Sequence, residues 1–281
     1  MEEICLMKVG LTQMDIIWED KKKNMEKAKK LMEQAERQNV DLLVFPEMTL
    51  TGFTMNTNLA GEEMLFSPTL RFFKETSKQY HMAMAFGFVE DFGEEYYNKL
   101  MIVSGGRVIY DYDKIHPFNY GNEGKHYIGG HEVKTTRLMD MELSGFVCYD
   151  LRFPEIFQAV SGQADMILVI ANWPKERILH WETLLRARAI ENQCYIIGVN
   201  LSGKGNDIEY MESSMAFDPL GERLTKPHSK SELMVVEVNP EKVKQIRRQF
   251  PFKQDRQVEL YETLYTKGMT ERMTGDSLKM A

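Results

Sequence analysis

A cysteine attacks a carbonyl carbon productively when one group takes its proton and another holds the oxyanion that forms. The surroundings of Cys148 suit both needs. Gly145-Phe146-Val147-Cys148-Tyr149-Asp150-Leu151-Arg152-Phe153-Pro154-Glu155 runs from an apolar strand through a turn into a helix opened by Pro154, a residue that fits the first helical turn. Such an elbow leaves backbone N–H groups and a helix start beside the sulfur, which favour a thiolate and a bound oxyanion. Histidine is the usual base, yet no histidine here has a comparable setting. Glu47, which follows Phe45-Pro46 at the end of another apolar run, can serve if burial raises its pKa toward neutrality. A third strand ends in Asp111-Tyr112-Asp113-Lys114. Taken singly, Glu47 and Lys114 read as surface charges and Cys148 as a small buried hydrophobe. Taken together they lie just past the ends of apolar strands, where sheets covered by helices form their binding crevices.

The elements that must position these residues follow from periodicity. Ile4 to Thr12 reads as a strand, and Asp20 to Gln38 as an amphipathic helix in which Met25, Ala28, Met32 and Ala35 recur among lysines and glutamates. Val40 to Phe45 is a short apolar run stopped by Pro46, as in a strand buried on both faces. Leu70 to Tyr80 then reads as helix, Met82 to Phe88 as strand, and Leu100 to Val103 and Val108 to Tyr112 as strands joined at Ser104-Gly105-Gly106. Past the middle come a strand from Glu142 to Cys148, a helix from Pro154 to Gln163, a strand from Met166 to Ala171, a helix from Ile178 to Asn192 and a strand from Tyr195 to Asn200. Ser214 to Phe217 and Leu233 to Val238 close the pattern around the Asp218-Pro219-Leu220-Gly221 turn. One echo links the halves: Asp41 and Asp165 each stand just before a buried strand.

Composition narrows the function classes. The 281 residues carry 35 Lys and Arg against 42 Asp and Glu, a net charge of −7. Scattered cations on an acidic chain offer no stripe for phosphates, which argues against nucleic acid and against an anionic membrane surface. Apolar runs such as Met166 to Ala171 fall far short of a bilayer span, and MEEICLMKVG lacks the pattern of a secretory signal. A cytoplasmic location is expected. Three cysteines, Cys5, Cys148 and Cys194, are odd in number and far apart, which suits reduced thiols. Cys5 and Cys194 sit within apolar strands and read as core. The 20 methionines read as soft core filler. His116, His126 and His131 share one loop region but match no strong metal-ligand spacing.

Phe45-Pro46-Glu47, Asp113-Lys114-Ile115-His116 and the elbow from Cys148 to Glu155 together resemble the three motifs of the nitrilase, or carbon-nitrogen hydrolase, superfamily, which uses a Glu-Lys-Cys triad in this chain order. The likeness continues in Ala171-Asn172-Trp173-Pro174, in Arg186 to Gln193 and in Asp218 to Glu222. Its Asn-Trp-Pro and Glu-Asn-Gln signatures look most like the omega-amidase branch, which deaminates monoamides of dicarboxylic acids such as 2-oxoglutaramate. The resemblance implies an α/β fold, a four-layer α-β-β-α sandwich, over residues 1–240, with 241–281 as a helical tail packing on the domain or on a dimer partner. It also implies that Cys148 is the nucleophile, that Glu47 is the base, and that Lys114 with the Tyr149 N–H holds the oxyanion. Glu123 corresponds to a second glutamate that the family often adds. No metal or organic cofactor is implied.

Phe118 and Tyr120, on the loop after Lys114, and Trp173, ending a strand on the same face, are expected to line the pocket for a small-molecule amide. Arg152 either meets a substrate carboxylate or pairs with Glu155, and Arg177 and Lys175 are rival cations. Related sequences often carry Asn-Arg where this chain has Asn200-Leu201, and the Ser202 to Glu209 loop is its own, which leaves acyl-group selectivity open. Similar proteins pair through helices, so a homodimer is expected, with Trp181, Leu184 and Leu185 serving either that contact or the core. Hydrolysis of a nitrile, an N-carbamoyl amine or a deaminated peptide, and non-catalytic binding on the same fold, are the competing readings.

Overall fold

The computed structural model describes residues 6–277, with side chains through residue 268; Cys5 lies outside the described residues. The first half runs β1 (Met7–Thr12), α1 (Lys21–Arg37), β2 (Leu42–Val44), α2 (Thr57–Ala60), α3 (Pro68–Gln79), β3 (Ala83–Phe92), β4 (Glu95–Ser104) and β5 (Arg107–Asp113). The chain continues through β6 (Thr136–Leu138), β7 (Met141–Val147), α4 (Pro154–Val160), β8 (Met166–Ala171), α5 (Ile178–Asn192), β9 (Tyr195–Asn200), β10 (Gly203–Gly205), β11 (Ile208–Tyr210), β12 (Met215–Phe217), β13 (Leu233–Val238), α6 (Pro240–Gln249) and α7 (Val258–Ser277). The described residues divide into two compact units that part between Lys244 and Gln245, α7 falling in the second. No helix among them is long and apolar enough to cross a membrane.

Within the first unit, one sheet has the strand order β13-β1-β2-β3-β4-β5 and the other β12-β9-β8-β7-β6. Alternation along each strand decides which residues meet. Val9, Leu11, Leu42, Val44, Ala85, Leu100 and Ile102 share a core with Leu143, Phe146 and Ile197 of the other sheet. The intervening residues Leu43, Met84, Phe86, Met101 and Val103 pack outward with Ala28, Leu31, Met32 and Ala35 of α1 and Phe73 of α3. Phe157 of α4 and Trp181, Leu185 and Ala189 of α5 cover the second sheet. The result is the α-β-β-α sandwich. Trp181 and Leu185 are fully buried, so of the two roles considered for them the core takes both.

The echo between halves has a structural cause. Asp41 Oδ2 accepts from the N–H of Lys8 in β1 at 2.8 Å, and Asp165 Oδ2 accepts from the N–H of Glu142 in β7 at 3.2 Å. Each carboxylate ties the start of one parallel strand to its neighbour, β1 to β2 and β7 to β8.

Several boundaries differ from the periodicity. The strands expected at Met82 to Phe88 and Leu100 to Val103 extend into two ten-residue strands of a hairpin turning at Gly93, whose φ is +83°. The segment read as helix to Gln163 stops at Val160. The loop Ser202 to Glu209 holds the small β10–β11 hairpin. Parallel pairing of β1, β2 and β3, and of β7, β8 and β9, places the carboxyl ends of β2, β7 and β8 on the same side of their sheets. β5, two antiparallel steps from β3, ends on that side as well.

Candidate active site

Glu47 sits in a tight turn after β2. Met48 takes a left-handed φ of +44°, and Thr49 Oγ1 donates to Pro46 O at 2.6 Å while accepting from Gly87 N at 2.9 Å. A Cβ on residue 87 would lie 2.0 Å from Met48 N and 2.6 Å from the Glu47 carbonyl carbon, so only glycine lets β3 pass under the turn. Glu47 is fully buried and surrounded by donors. Its Oε1 accepts from Lys114 Nζ at 3.0 Å and Asn98 Nδ2 at 2.8 Å, and its Oε2 from Asn172 N at 2.9 Å.

Lys114, just past β5, is 2% exposed. Its Nζ lies 3.0 Å from Glu123 Oε1 and 2.8 Å from Glu123 Oε2, so the ammonium is held between two carboxylates. Asn98 Nδ2 reaches Glu123 Oε1 at 2.9 Å as well as Glu47, and the Phe118 N–H donates to Glu123 Oε2 at 2.6 Å. Burial by itself disfavours the Lys114 charge, and Glu123 followed by Glu47 reverses it, so its pKa stands above the usual lysine range. Burial raises the Glu123 carboxyl; Lys114 opposes this, Glu47 adds to it, and the net shift is upward.

Cys148 opens the five-residue turn Cys148–Arg152 directly after β7, with a φ of +49°. Asp150 holds the elbow in this left-handed conformation. Its Oδ2 accepts from Val147 N at 3.1 Å and the Tyr112 hydroxyl at 2.9 Å, and its Oδ1 from His116 N at 3.0 Å, with His116 Nδ1 at 2.8 Å. One buried carboxylate thus ties the lysine loop to the cysteine turn. It also settles His116, which stacks on Phe153 with centroids 3.7 Å apart; no group of three or more potential ligands is arranged for a metal ion among the described residues. The thiol departs from the thiolate expected of an elbow. Burial first, then Glu47, push its pKa well above the ordinary 9.0, and Lys114 and the Asn172 N–H only partly oppose them. Enclosure and negative neighbours outweigh the helix start, so the sulfur holds its proton until a base removes it.

Cys148 forms part of a pocket with Phe53, Phe118, Tyr149, Arg152 and Trp173. The Phe118 and Tyr149 rings lie 4.9 Å apart. Asn200 positions Trp173, accepting from its N–H at 2.6 Å and donating to its carbonyl at 2.9 Å. The Arg152 guanidinium lies 4.7 Å from the Trp173 ring centroid and 5.9 Å from that of Tyr149, with His180 Nδ1 at 3.5 Å. Tyr120 corrects the sequence expectation: it is 89% exposed and stays out of the pocket, its ring 5.9 Å from Phe118. The short 3-10 turn Asn119–Gly121 carries its side chain outward while placing Glu123 inward.

The β10–β11 hairpin supplies Ile208 and Tyr210 to the pocket wall, and Arg177 completes it. Leu201, the departure from Asn-Arg, is buried in the outer core instead. Sequence reasoning missed Asn98, Asp150, Asn172, Ile208 and Tyr210 as site residues. Asp150 and Asn172 lay inside motifs that it singled out, whereas Asn98 stands before Lys99 in the polar start of β4, outside the apolar run Leu100 to Val103, and nothing local marked it. Nothing in the loop pattern marked Tyr210.

Comparison with known proteins bears on these features. A family model described as carbon-nitrogen hydrolase matches residues 8–248. A Bacillus subtilis 2-oxoglutaramate amidase is 30% identical over 90% of this chain and 98% of its own length. The omega-amidase YafV of Yersinia enterocolitica is 33% identical over 77% of this chain and 83% of its own. Among solved structures, a CN-hydrolase superfamily protein from Xanthomonas campestris with an arsenic adduct in its active site superposes with a TM-score of 0.84 at 29% identity, covering 90% of this chain and 97% of that one.

Proposed function

This chain belongs to the carbon-nitrogen hydrolase family and acts on amides, and on that premise we propose that it works through a cysteine thioester and takes monoamides of dicarboxylic acids, 2-oxoglutaramate or a close analogue among them. The observation that carries the reading is the Lys114 ammonium fixed at 3.0 and 2.8 Å between the Glu47 and Glu123 carboxylates, with Cys148 responding to all three charges.

The steps follow from that arrangement. Glu47 takes the Cys148 proton as the sulfur attacks the amide carbon, and the electron pair of the carbonyl moves onto oxygen. Lys114 and the Tyr149 N–H receive this oxyanion, a buried fixed cation and a backbone donor beside the sulfur. Glu47 then gives its proton to the nitrogen, the C–N bond breaks and ammonia leaves a thioester. Water, deprotonated by Glu47, adds to the thioester; the C–S bond breaks, and the acid and the thiol are restored. Glu123 touches Lys114 and acts through it as a positioning residue. Arg152, stacked on Trp173 with no carboxylate partner among the described residues, meets the carboxylate of the acyl chain, and the named activities of the relatives support the same substrate class.

Incubation with a panel of amides followed by intact-mass measurement tests this. An acyl adduct on Cys148 whose mass names the acyl group is expected, and Cys148→Ala is expected to stay folded while releasing no ammonia; wild-type turnover in that variant would sink the mechanism. The reading includes a homodimer, measurable by light scattering, with the exposed Leu179 and Ile190 of α5 offered to the partner, and a cytoplasmic setting in which Cys148 stays reduced.

A further inference from the structure

Three cations follow or face Trp173, and they have different fates. Lys175 is paired with Glu209 of the β10–β11 hairpin at 2.9 Å on the surface. Arg152 lies on the Trp173 ring. Arg177 lines the pocket half-buried, 5.9 Å from the Phe118 ring centroid, and has no carboxylate partner among the described residues. Its backbone is anchored independently of its side chain, since Arg177 O accepts from Trp173 Nε1 at 2.8 Å. Across the pocket stands Tyr210, 6% exposed. Burial, then Cys148 and Glu47, push its phenol above the usual tyrosine range while the Arg177 charge opposes them, so it remains a hydroxyl donor that feels that guanidinium.

We propose that Arg177, with Tyr210 opposite, is a specificity-determining residue: a second guanidinium that joins Arg152 in receiving the terminal carboxylate of the acyl chain. The inference rests on the amidase reading and sharpens it. A guanidinium half-withdrawn from water and left without an anion is poised for a carboxylate, and two of them against one carboxylate reject a neutral end. Tyr210 directly follows Glu209, whose carboxylate meets Lys175 at 2.9 Å next to the turn that carries Arg177.

The test compares succinamate with butanamide, which replaces the carboxylate by a methyl group, using ammonia release from the full chain. In Arg177→Gln the ratio of kcat/KM for succinamate over butanamide is expected to fall about 10- to 100-fold, the size of a lost charge-assisted hydrogen bond, through KM for succinamate. Arg177→Lys, which restores the charge without the planar fork, is expected to recover part of the ratio. An unchanged ratio, or equal losses on both amides, overturns the assignment and leaves Arg177 a merely structural residue. Absence of ammonia from both amides with the wild-type chain overturns the amidase reading itself and this inference with it.

Discussion

Replacing Lys114 by Met removes the cation from a site that holds two carboxylates. The side chains have similar length, so the perturbation is chiefly electrostatic. In the wild type, Lys114 Nζ contacts Glu47 Oε1 at 3.0 Å and Glu123 at 3.0 and 2.8 Å, and all three groups are at most 2% exposed. Breaking a buried ion pair by removing one partner costs about 3–5 kcal/mol, because the remaining charge is left uncompensated. A domain of ordinary stability, about 5–15 kcal/mol, survives this. The two carboxylates then face each other with Asn98 as their common donor, and one of them binds a proton. Glu123, whose carboxyl burial already raises, is shifted further up, so the variant is favoured at low pH and loses stability as the pH climbs through the raised value. Lys114 itself, with a folded pKa above the ordinary 10.5, contributes fully to the wild type throughout the range below that value. Urea unfolding followed by circular dichroism at pH 8 and pH 5.5 separates these effects. The wild type is expected to exceed Lys114→Met by about 3–5 kcal/mol at pH 8, with the gap narrowing by about 1 kcal/mol or more at pH 5.5. A gap below about 1 kcal/mol at pH 8, where exposed ion pairs fall, or one that ignores pH, would refute the picture of a buried Glu-Lys-Glu cluster. Ammonia release is expected to drop about 10²- to 10³-fold, as for loss of an oxyanion donor.

Two further outcomes follow from the same geometry. Gly87→Ala places a methyl 2.0 Å from Met48 N, and overpacking against backbone is expected to cost about 1–3 kcal/mol together with most of the turnover; Gly162→Ala, where a Cβ meets nothing within 4 Å, serves as the control, and equal behaviour of the two variants in thermal unfolding would refute the close-approach argument. Ultraviolet absorbance of a thiolate is expected to be absent from Cys148 at pH 7 in the free protein and to emerge only above pH 9.0, since burial and Glu47 hold the thiol protonated; a thiolate signal at pH 7 that Cys148→Ala removes would contradict this.

Much of the fold was legible because strand and helix periods differ. Val40 to Phe45 read as a strand buried on both faces and Met166 to Ala171 as a buried strand, and the structure buries every residue of the strands found there, Leu42–Val44 and Met166–Ala171. Helix α1 begins where the Asp20 carboxylate caps the Lys23 N–H, as its charged, periodic sequence implies. The β3–β4 hairpin extended beyond its apolar pattern because its outer residues, such as Phe92 at 70% exposure, pair through backbone hydrogen bonds that side-chain polarity does not report. Short strands β6, β10 and β11 were invisible for the same reason.

The sequence by itself determined the chemistry on offer: a cysteine at an elbow, a glutamate and a lysine past strand ends, and the order in which the chain presents them. Local rules suffice for that, since proline, glycine and apolar runs act over a few residues. Only the tertiary structure decided the state and surroundings of those groups. Glu47 and Asn172 are 125 residues apart yet 2.9 Å from contact partner to partner, and the protonated state of Cys148 depends on charges brought from three separate segments. Tyr120 and Tyr210 make the contrast plain: the first follows the lysine motif closely and points to solvent, while the second arrives from a distant hairpin and lines the pocket. Desolvation and Coulomb interaction depend on distance through space, which chain order does not encode.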